Sequence, residues 1–164
     1  MNELALRERR DRRLGADQNR TRHDRDMSIA DSFELQWRGD FTSSEANTLH
    51  AEAFGTRLFS DAEWNWRSLV ERHSLGWVVA RHEGALVAFV NVVSDGLVHA
   101  WLQDMMVAAT VRHMGLGTRL VEVAREEAKE AGCEWMHVDF EDDLRSFYFD
   151  ACGFTPTNAG LIHL

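Results

Sequence analysis

Two glycines, Gly115 and Gly117, stand between an apolar run ending at Val107 and a run beginning at Leu116 that has helical periodicity. Strand, glycine turn and helix in that order constrain the chain more than any other feature, because such a unit must bury its helix against a sheet. The stretch VRHMGLGTRL, Val111 to Leu120, also feeds exposed amides into a helix start, which can hold a pyrophosphate without a lysine. A tight turn alone is the other reading of this spacing. A dinucleotide fold would need a third glycine three residues after Gly117, and a P-loop would need a lysine and the hydroxyl that follows it; the chain has neither.

The elements around this unit follow from periodicity and punctuation. Phe33 to Arg38 reads as a first strand. Thr42 to Phe54 reads as a helix with Leu49, Ala53 and Phe54 along its apolar stripe and Ser43 or Ser44 near its cap. Asp61 to Arg72, marked by Trp64, Leu69 and Val70, reads as a second helix. Gly76 to Arg81 and Ala85 to Val93 flank His82, Glu83 and Gly84 as a hairpin. Ser94, Asp95 and Gly96 turn the chain into Leu97 to Val107, a strand long enough to need a bend or bulge. A helix over Leu116 to Ala131 should bury Leu120, Val121, Val123, Ala124 and Ala128 and end at Gly132. Glu134 to Phe140 reads as a strand, Leu144 to Cys152 as a short helix ended by Gly153, and Leu161 to Leu164 as a last strand. The sum is an α/β (α+β) chain: a mixed, twisted central sheet with helices on both faces.

Composition bounds the rest. With 164 residues, 45% of them hydrophobic, one core is the expectation. The formal charge is −9, yet residues 1–26 carry eight arginines against six acids, so most of the negative charge lies further on. Residues 1–30 therefore read as a charged, flexible extension and 31–164 as the folded domain; the alternation of signs speaks against a nucleic-acid arm. No apolar run approaches a membrane span or the core of a signal peptide, which makes the cytoplasm the expected location. Cys133 and Cys152 are too few for a disulfide scaffold and have no metal spacing, and their apolar surroundings suggest buried thiols. Trp77 and Trp135 read as core residues.

Arg112, Gly115 and Gly117 match the pyrophosphate-binding pattern of the GNAT superfamily of acyl-CoA-dependent N-acyltransferases: Arg or Gln, two residues, Gly, one residue, then Gly or Ala. A second match lies in FYFDACGF, Phe147 to Phe154, which is similar to that family's late aromatic-Tyr and Gly-Phe signature. From Phe33 to Leu164 the chain resembles this family. The resemblance implies acetyl-CoA as co-substrate, no metal, and an amine acceptor as partner. It assigns cofactor contacts to Arg112, His113, Met114, Gly115, Leu116, Gly117 and Thr118, and to main-chain groups of Met106 and Val107, whose side chains should pack in the core. Homodimerisation is compatible with it, and no sequence feature fixes it; neither nucleic acid nor membrane is expected as a partner.

Acyl transfer to an amine needs a neutral nitrogen, a polarised thioester and a proton for the departing thiolate. Tyr148, the only tyrosine, falls where the resemblance puts a hydroxyl near the cofactor sulfur, and a phenol is protonated at neutral pH. The base is open. The family often carries a glutamate near 99–101, whereas this chain has His99, Ala100 and Trp101. His99 is the first choice, because an imidazole is the side-chain type that changes charge near neutral pH; Asp104 is the other candidate on that strand, and alternation sets it on the face opposite His99, Trp101 and Gln103 unless a bulge intervenes. Trp64 and Trp101 are candidate acceptor-wall residues, and Asp139 and Glu141 candidate attractors of a cationic amine. Acetylation of a small-molecule primary amine leads; acetylation of protein N-termini or lysines, and a non-catalytic acyl-CoA-binding or sensory domain, are the competing readings.

Overall fold

The computed structural model describes residues 32–164; the expected N-terminal extension, residues 1–30, lies outside them. Five strands form one sheet in the order β1 (Glu34–Trp37), β2 (Gly76–His82), β3 (Ala85–Ser94), β4 (His99–Val107) and β5 (Trp135–Val138). The first four are antiparallel neighbours, and β5 runs parallel to β4. A parallel pair needs a crossover, which α3 (Leu116–Glu130) supplies. Two helices, α1 (Ser43–Phe54) and α2 (Trp66–His73), fill the connection from β1 to β2. The mixed sheet with helices expected from the sequence is the architecture observed.

Ala88, Phe89, Val90, Asn91 and Val92 of β3 are all buried. Five successive buried positions on a strand require cover on both faces, since side chains alternate. Phe89 meets Trp66 of α2 and Phe41 just ahead of α1, both edge-on. The helix α3 seals the other face with Leu116, Leu120, Val121, Ala124 and Ala128. Glu83 and Gly84, both with positive φ, make the two-residue turn between β2 and β3, the left-handed turn that suits strand twist.

Several boundaries differ from the sequence reading. The helix expected from Asp61 begins at Trp66, because the Trp64 carbonyl accepts from Asn47 Nδ2 (3.1 Å) and Asn65 caps Ser68 N (2.8 Å). Thr42, not a serine, caps α1: its hydroxyl accepts from Glu45 N while the Glu45 carboxylate accepts from Thr42 N, a reciprocal box. Ser43 is instead buried, accepting from Arg67 N (3.2 Å). Val123 is only half-buried on α3, and the helix that was to run to Cys152 is a 3-10 turn, Asp142–Leu144, followed by a π-helical segment, Ser146–Ala151. Trp135 is 62% exposed rather than core, since it opens an edge strand beyond helical cover. Leu161 to Leu164 form no strand; these residues are exposed and have no partner strand to satisfy their backbone. Both cysteines are half-buried against the core.

One ion pair fixes α1 to the sheet. Arg81 of β2 donates to Glu45 Oε1 (2.8 Å) and to the carbonyls of Asp40 and Gly84. Its guanidinium, with the Thr42 amide and hydroxyl, holds the Glu45 carboxyl at about 2, against burial pushing the other way. A carboxylate with a depressed value stabilises the fold above its unfolded range and loses that contribution as pH falls through the folded value. Glu45→Gln is therefore expected to cost about 1–2 kcal/mol at pH 7 after discounting for its partial exposure, with the difference from the parent closing between pH 4.5 and 2. Urea unfolding across that range checks it.

Candidate functional site

The β4–β5 ladder is short. It pairs His99 with Trp135 and ends at Leu102 with Val138, although β4 continues to Val107. Beyond Leu102 the two strands part, and the edge of β4 from Gln103 onward has no β5 partner. On its other side, β4 carries an irregularity: Asn91 pairs with Gln103 but Phe89 pairs with Met106, so two residues of β3 span three of β4. That extra residue is a bulge, and Asp104 sits in it with φ of 51°. The bend anticipated from strand length is thus located, and it changes the face assignment: Asp104 hydrogen-bonds Asn91 and feels the charge of His50 on α1, on the side covered by α1 and α2. The strict alternation that sent it to the opposite face is broken by the bulge.

The glycine turn lies past the end of β4. A 3-10 turn, Ala109–Val111, is fixed to α1 by Glu52, whose carboxylate accepts from Ala109 N (2.7 Å). Arg112 follows, its Nε donating to the Val107 carbonyl (3.0 Å) with four further N–H donors on the guanidinium. His113 and Gly115 take left-handed backbone, φ 63° and 76°. Gly115 is the N-cap of α3, and no side chain caps that helix. Uncapped first-turn amides at a fifteen-residue helix start are left to donate to an anion, and the residues present fit a pyrophosphate. The glycines differ in function. A Cβ on Gly115 would meet open space, so its requirement is the positive φ; a Cβ on Gly117 would lie 3.1 Å from the Phe147 ring and 3.2 Å from Met105 Cε, so its requirement is the close approach. Leu116 points into the core while Met114 is exposed, and Thr118 hydrogen-bonds the Cys152 thiol, joining α3 to the π-helical segment. Met106 is fully buried and Val107 packs on the core, leaving their main chain on the parted edge.

Tyr148 comes to the same place from the far end of the chain. It is 5% exposed, stacks on Phe140 (4.6 Å), meets Phe147 and Phe154 edge-on, and donates its hydroxyl to Met105 Sδ (3.5 Å). Burial pushes the phenol up to about 12, so it holds its proton throughout the neutral range. Met105 is the meeting point: Gly117 approaches its methyl, Tyr148 its sulfur, and Asp104 precedes it in the bulge. Sequence order gives no sign of this role for Met105 or Phe147.

The remaining candidates fall into two groups. His99 Nδ1 lies 2.8 Å from His137 Nε2, which requires one ring to donate and the other to accept, and Trp101 stacks on His137 at 4.9 Å. This trio occupies the closed part of the ladder, several residues before the bulge. Trp64 belongs elsewhere. Its ring packs on His50 (4.7 Å), Phe59 (4.3 Å) and Trp66 (5.8 Å), and His50 in turn neighbours Asp104. His50, buried beside Leu49 on the apolar stripe of α1, is a further member of the site, and a histidine in such a stripe is the sequence signal for it. Asp139 and Glu141 are exposed and flank Phe140, the ring on which Tyr148 stacks. Glu141 precedes the 3-10 turn without capping it through its side chain. Among the described residues no three His, Cys, Asp or Glu side chains gather as metal ligands.

Solved structures share this fold. An acetyltransferase of Trypanosoma brucei superposes with a TM-score of 0.68 at 20% identity, covering 80% of this chain and 98% of the other. Glucosamine-6-phosphate N-acetyltransferase from Arabidopsis thaliana superposes with a TM-score of 0.61 at 19% identity, covering 80% and 98%. In sequence, the chain is 43% identical over 53 residues to a protein described as "Probable glucosamine 6-phosphate N-acetyltransferase 2" of Oryza sativa subsp. japonica; that match spans 32% of this chain and 31% of the rice protein. The profile of the Acetyltransferase (GNAT) family matches residues 33–154, from the residue before β1 to the Gly-Phe pair behind Tyr148. The uncapped glycine turn, the parted strands and this match over most of the chain agree, and the chain belongs to the GNAT family of N-acetyltransferases.

Proposed function

We propose that the chain transfers the acetyl group of acetyl-CoA to the primary amine of a small molecule, with Tyr148 as proton donor and Asp104 as proton acceptor. The convergence of Gly117, Tyr148 and Asp104 on Met105 carries this reading. The α3 amides at Gly115 to Thr118 and the Arg112 guanidinium hold the pyrophosphate, His113 and Met114 border it, and the main chain of Met106 and Val107 receives the pantetheine arm. Acetyl-CoA supplies an activated acetyl group, a C–N bond to the amine replacing the C–S bond. Tyr148 keeps its proton at Oη for the departing sulfur. Asp104 takes the proton that the amine gives up. Burial raises its carboxyl above the ordinary range, which makes it a stronger base than an exposed carboxylate. His99, the first choice from the sequence, is bonded to His137 in the closed ladder and for that reason stands second to Asp104 in this proposal. Residues 31–164 are the catalytic domain in this reading, and the cytoplasm its location.

Calorimetric titration with CoA, acetyl-CoA and a simple nucleotide tests the cofactor half: binding that depends on the pantetheine-pyrophosphate body is expected. Gly117→Val drives a branched side chain into Phe147 and Met105 and should weaken CoA binding about tenfold, a loss of about 1.4 kcal/mol. Tyr148→Phe should lower kcat on the order of a hundredfold with the CoA Kd unchanged, read under conditions where chemistry limits turnover.

Asp104→Asn makes a sharper test, because activity and stability should move in opposite directions. Burial raises the Asp104 carboxyl, so its contribution to stability is present below the unfolded carboxylate range and lost as pH rises through the folded value. Asparagine never ionises and keeps an amide for Asn91. The variant is expected to melt higher than the parent at pH 7 while kcat/KM falls on the order of a hundredfold or more. Thermal melts and initial rates on one preparation check both; a lower melting temperature with full turnover would remove Asp104 from the role of base.

A further inference from the structure

The acceptor wall has a chemistry of its own. Asp104 is drawn by the bulge onto the α1 side of the sheet, where its neighbours are the Asn91 amide and the His50 ring. Among the described residues no lysine or arginine pairs with it. Burial pushes the His50 imidazole below its ordinary value and so disfavours its charged form, and a half-buried carboxylate without a firm cation is costly unless something brings the opposite charge. Around His50 the chain gathers aromatic rings: Trp64 at 4.7 Å, Trp66 at 5.6 Å and Phe59 at 6.3 Å. Trp66 is buried, but Trp64 keeps 36% of its surface exposed, so the cluster presents an open aromatic side.

We propose that the acceptor is a primary amine carried on an aromatic or otherwise apolar body, its ring lying against Trp64 and Phe59 and its ammonium directed to Asp104. The inference rests on the acetyl-transfer reading above and names the class of amine that this site takes. Its geometry is one of charge at the bulge and apolar surface beside it, the two halves of such a molecule. Aromatic faces favour a nearby ammonium as well as an apolar ring.

The same wall disfavours a phosphorylated amino sugar, the acceptor named for the rice and Arabidopsis proteins. A phosphate needs free cationic donors. The arginine of this wall, Arg57, is bound to Glu63 at 2.7 Å and lies 4.1 Å over the Phe59 ring, while Asp61 holds Asn47 Nδ2 and adds a further negative group. An anionic acceptor would meet Asp61, Glu63 and Asp104 with one arginine already committed.

The test measures thiol release from acetyl-CoA by the full chain with phenylethylamine, ethylamine, glucosamine 6-phosphate and a lysine-containing peptide, alongside calorimetric titration with CoA. Phenylethylamine is expected to exceed glucosamine 6-phosphate and the peptide in kcat/KM by about tenfold or more, the scale on which an apolar pocket discriminates. Trp64→Ala should raise the KM for phenylethylamine about tenfold while leaving ethylamine within about twofold and the CoA Kd unchanged, since only the ring uses that wall. Trp64→Leu, which preserves more packing, should fall between. A preference for the sugar phosphate or the peptide would overturn the inference and leave acetyl transfer standing. Equal losses for both amines in Trp64→Ala would do the same, whereas CoA binding without turnover of any amine tested would overturn the inference together with the acetyl-transfer reading. A folded chain that binds no CoA would defeat both readings together.

Discussion

The extra residue in β4 is the constraint on which the site depends. Without it, Asp104 would alternate away from α1, and Met105 would not stand between Tyr148 and Gly117. A left-handed φ on a non-glycine residue and a half-buried carboxylate both cost free energy, on the order of 1–3 kcal/mol for the backbone alone. The hydrogen bond to Asn91 offsets part of this, and Asn91 is held in turn by Ser74 Oγ (2.5 Å) at the end of α2. The sheet therefore carries a local cost that its packed neighbours sustain. The early end of the β4–β5 ladder has the matching consequence: the bulge turns one side chain toward α1 while the edge of β4 past Leu102 keeps main chain without a β5 partner, the two features on which the proposed acceptor and donor sites rest.

The helix α1 makes this arrangement rigid. Its first turn is tied to β2 through Glu45 and Arg81, and its last turn reaches the glycine loop through Glu52 and Ala109 N. In the middle, Asn47 uses all its polar atoms, accepting from Trp66 Nε1 (2.9 Å) and donating to Asp61 and to the Trp64 carbonyl. Two sides of one helix thus do the positioning: the buried side, through Asn47 and His50, sets the aromatic wall and the imidazole beside Asp104, and the exposed side, through Glu52, holds the 3-10 turn before the glycine loop. The side chains responsible are polar, and each bonds outside the helix. Propensity alone would not find them.

How much of this was legible in the sequence follows from the range of the interactions. The glycine turn, the helix behind it and the two-residue hairpin at Glu83 and Gly84 depend on local backbone preferences, so periodicity and punctuation were enough. The bulge was legible as a need, since a strand of that length rarely runs straight, but its position was not: which residue is extra depends on pairing with β3. The start of α2 was missed because Asn47, nineteen residues before Trp66, decides where the helix begins. Trp135 was misjudged for the same reason, an edge position being a property of the sheet and not of the residue. His50 and Met105 have roles set wholly by what crosses over them.

In the roles proposed for them, Tyr148 and Asp104 are two complementary groups produced by one physical cause. Burial among apolar side chains disfavours the charged form of each, raising both acids above their ordinary values. For the phenol, already protonated at neutral pH, the shift secures a neutral donor that keeps its proton beside the Met105 sulfur. For the carboxyl, the shift moves a weak base toward the range where it competes for the proton of an amine. Their separation follows from the strand that divides them: Tyr148 reaches Met105 from the π-helical segment, while the bulge turns Asp104 toward α1. In the reaction we propose, donor and acceptor flank β4 at adjacent residues, Asp104 and Met105, so that a single extra residue in one strand would set both the place of proton transfer and the side from which the amine arrives.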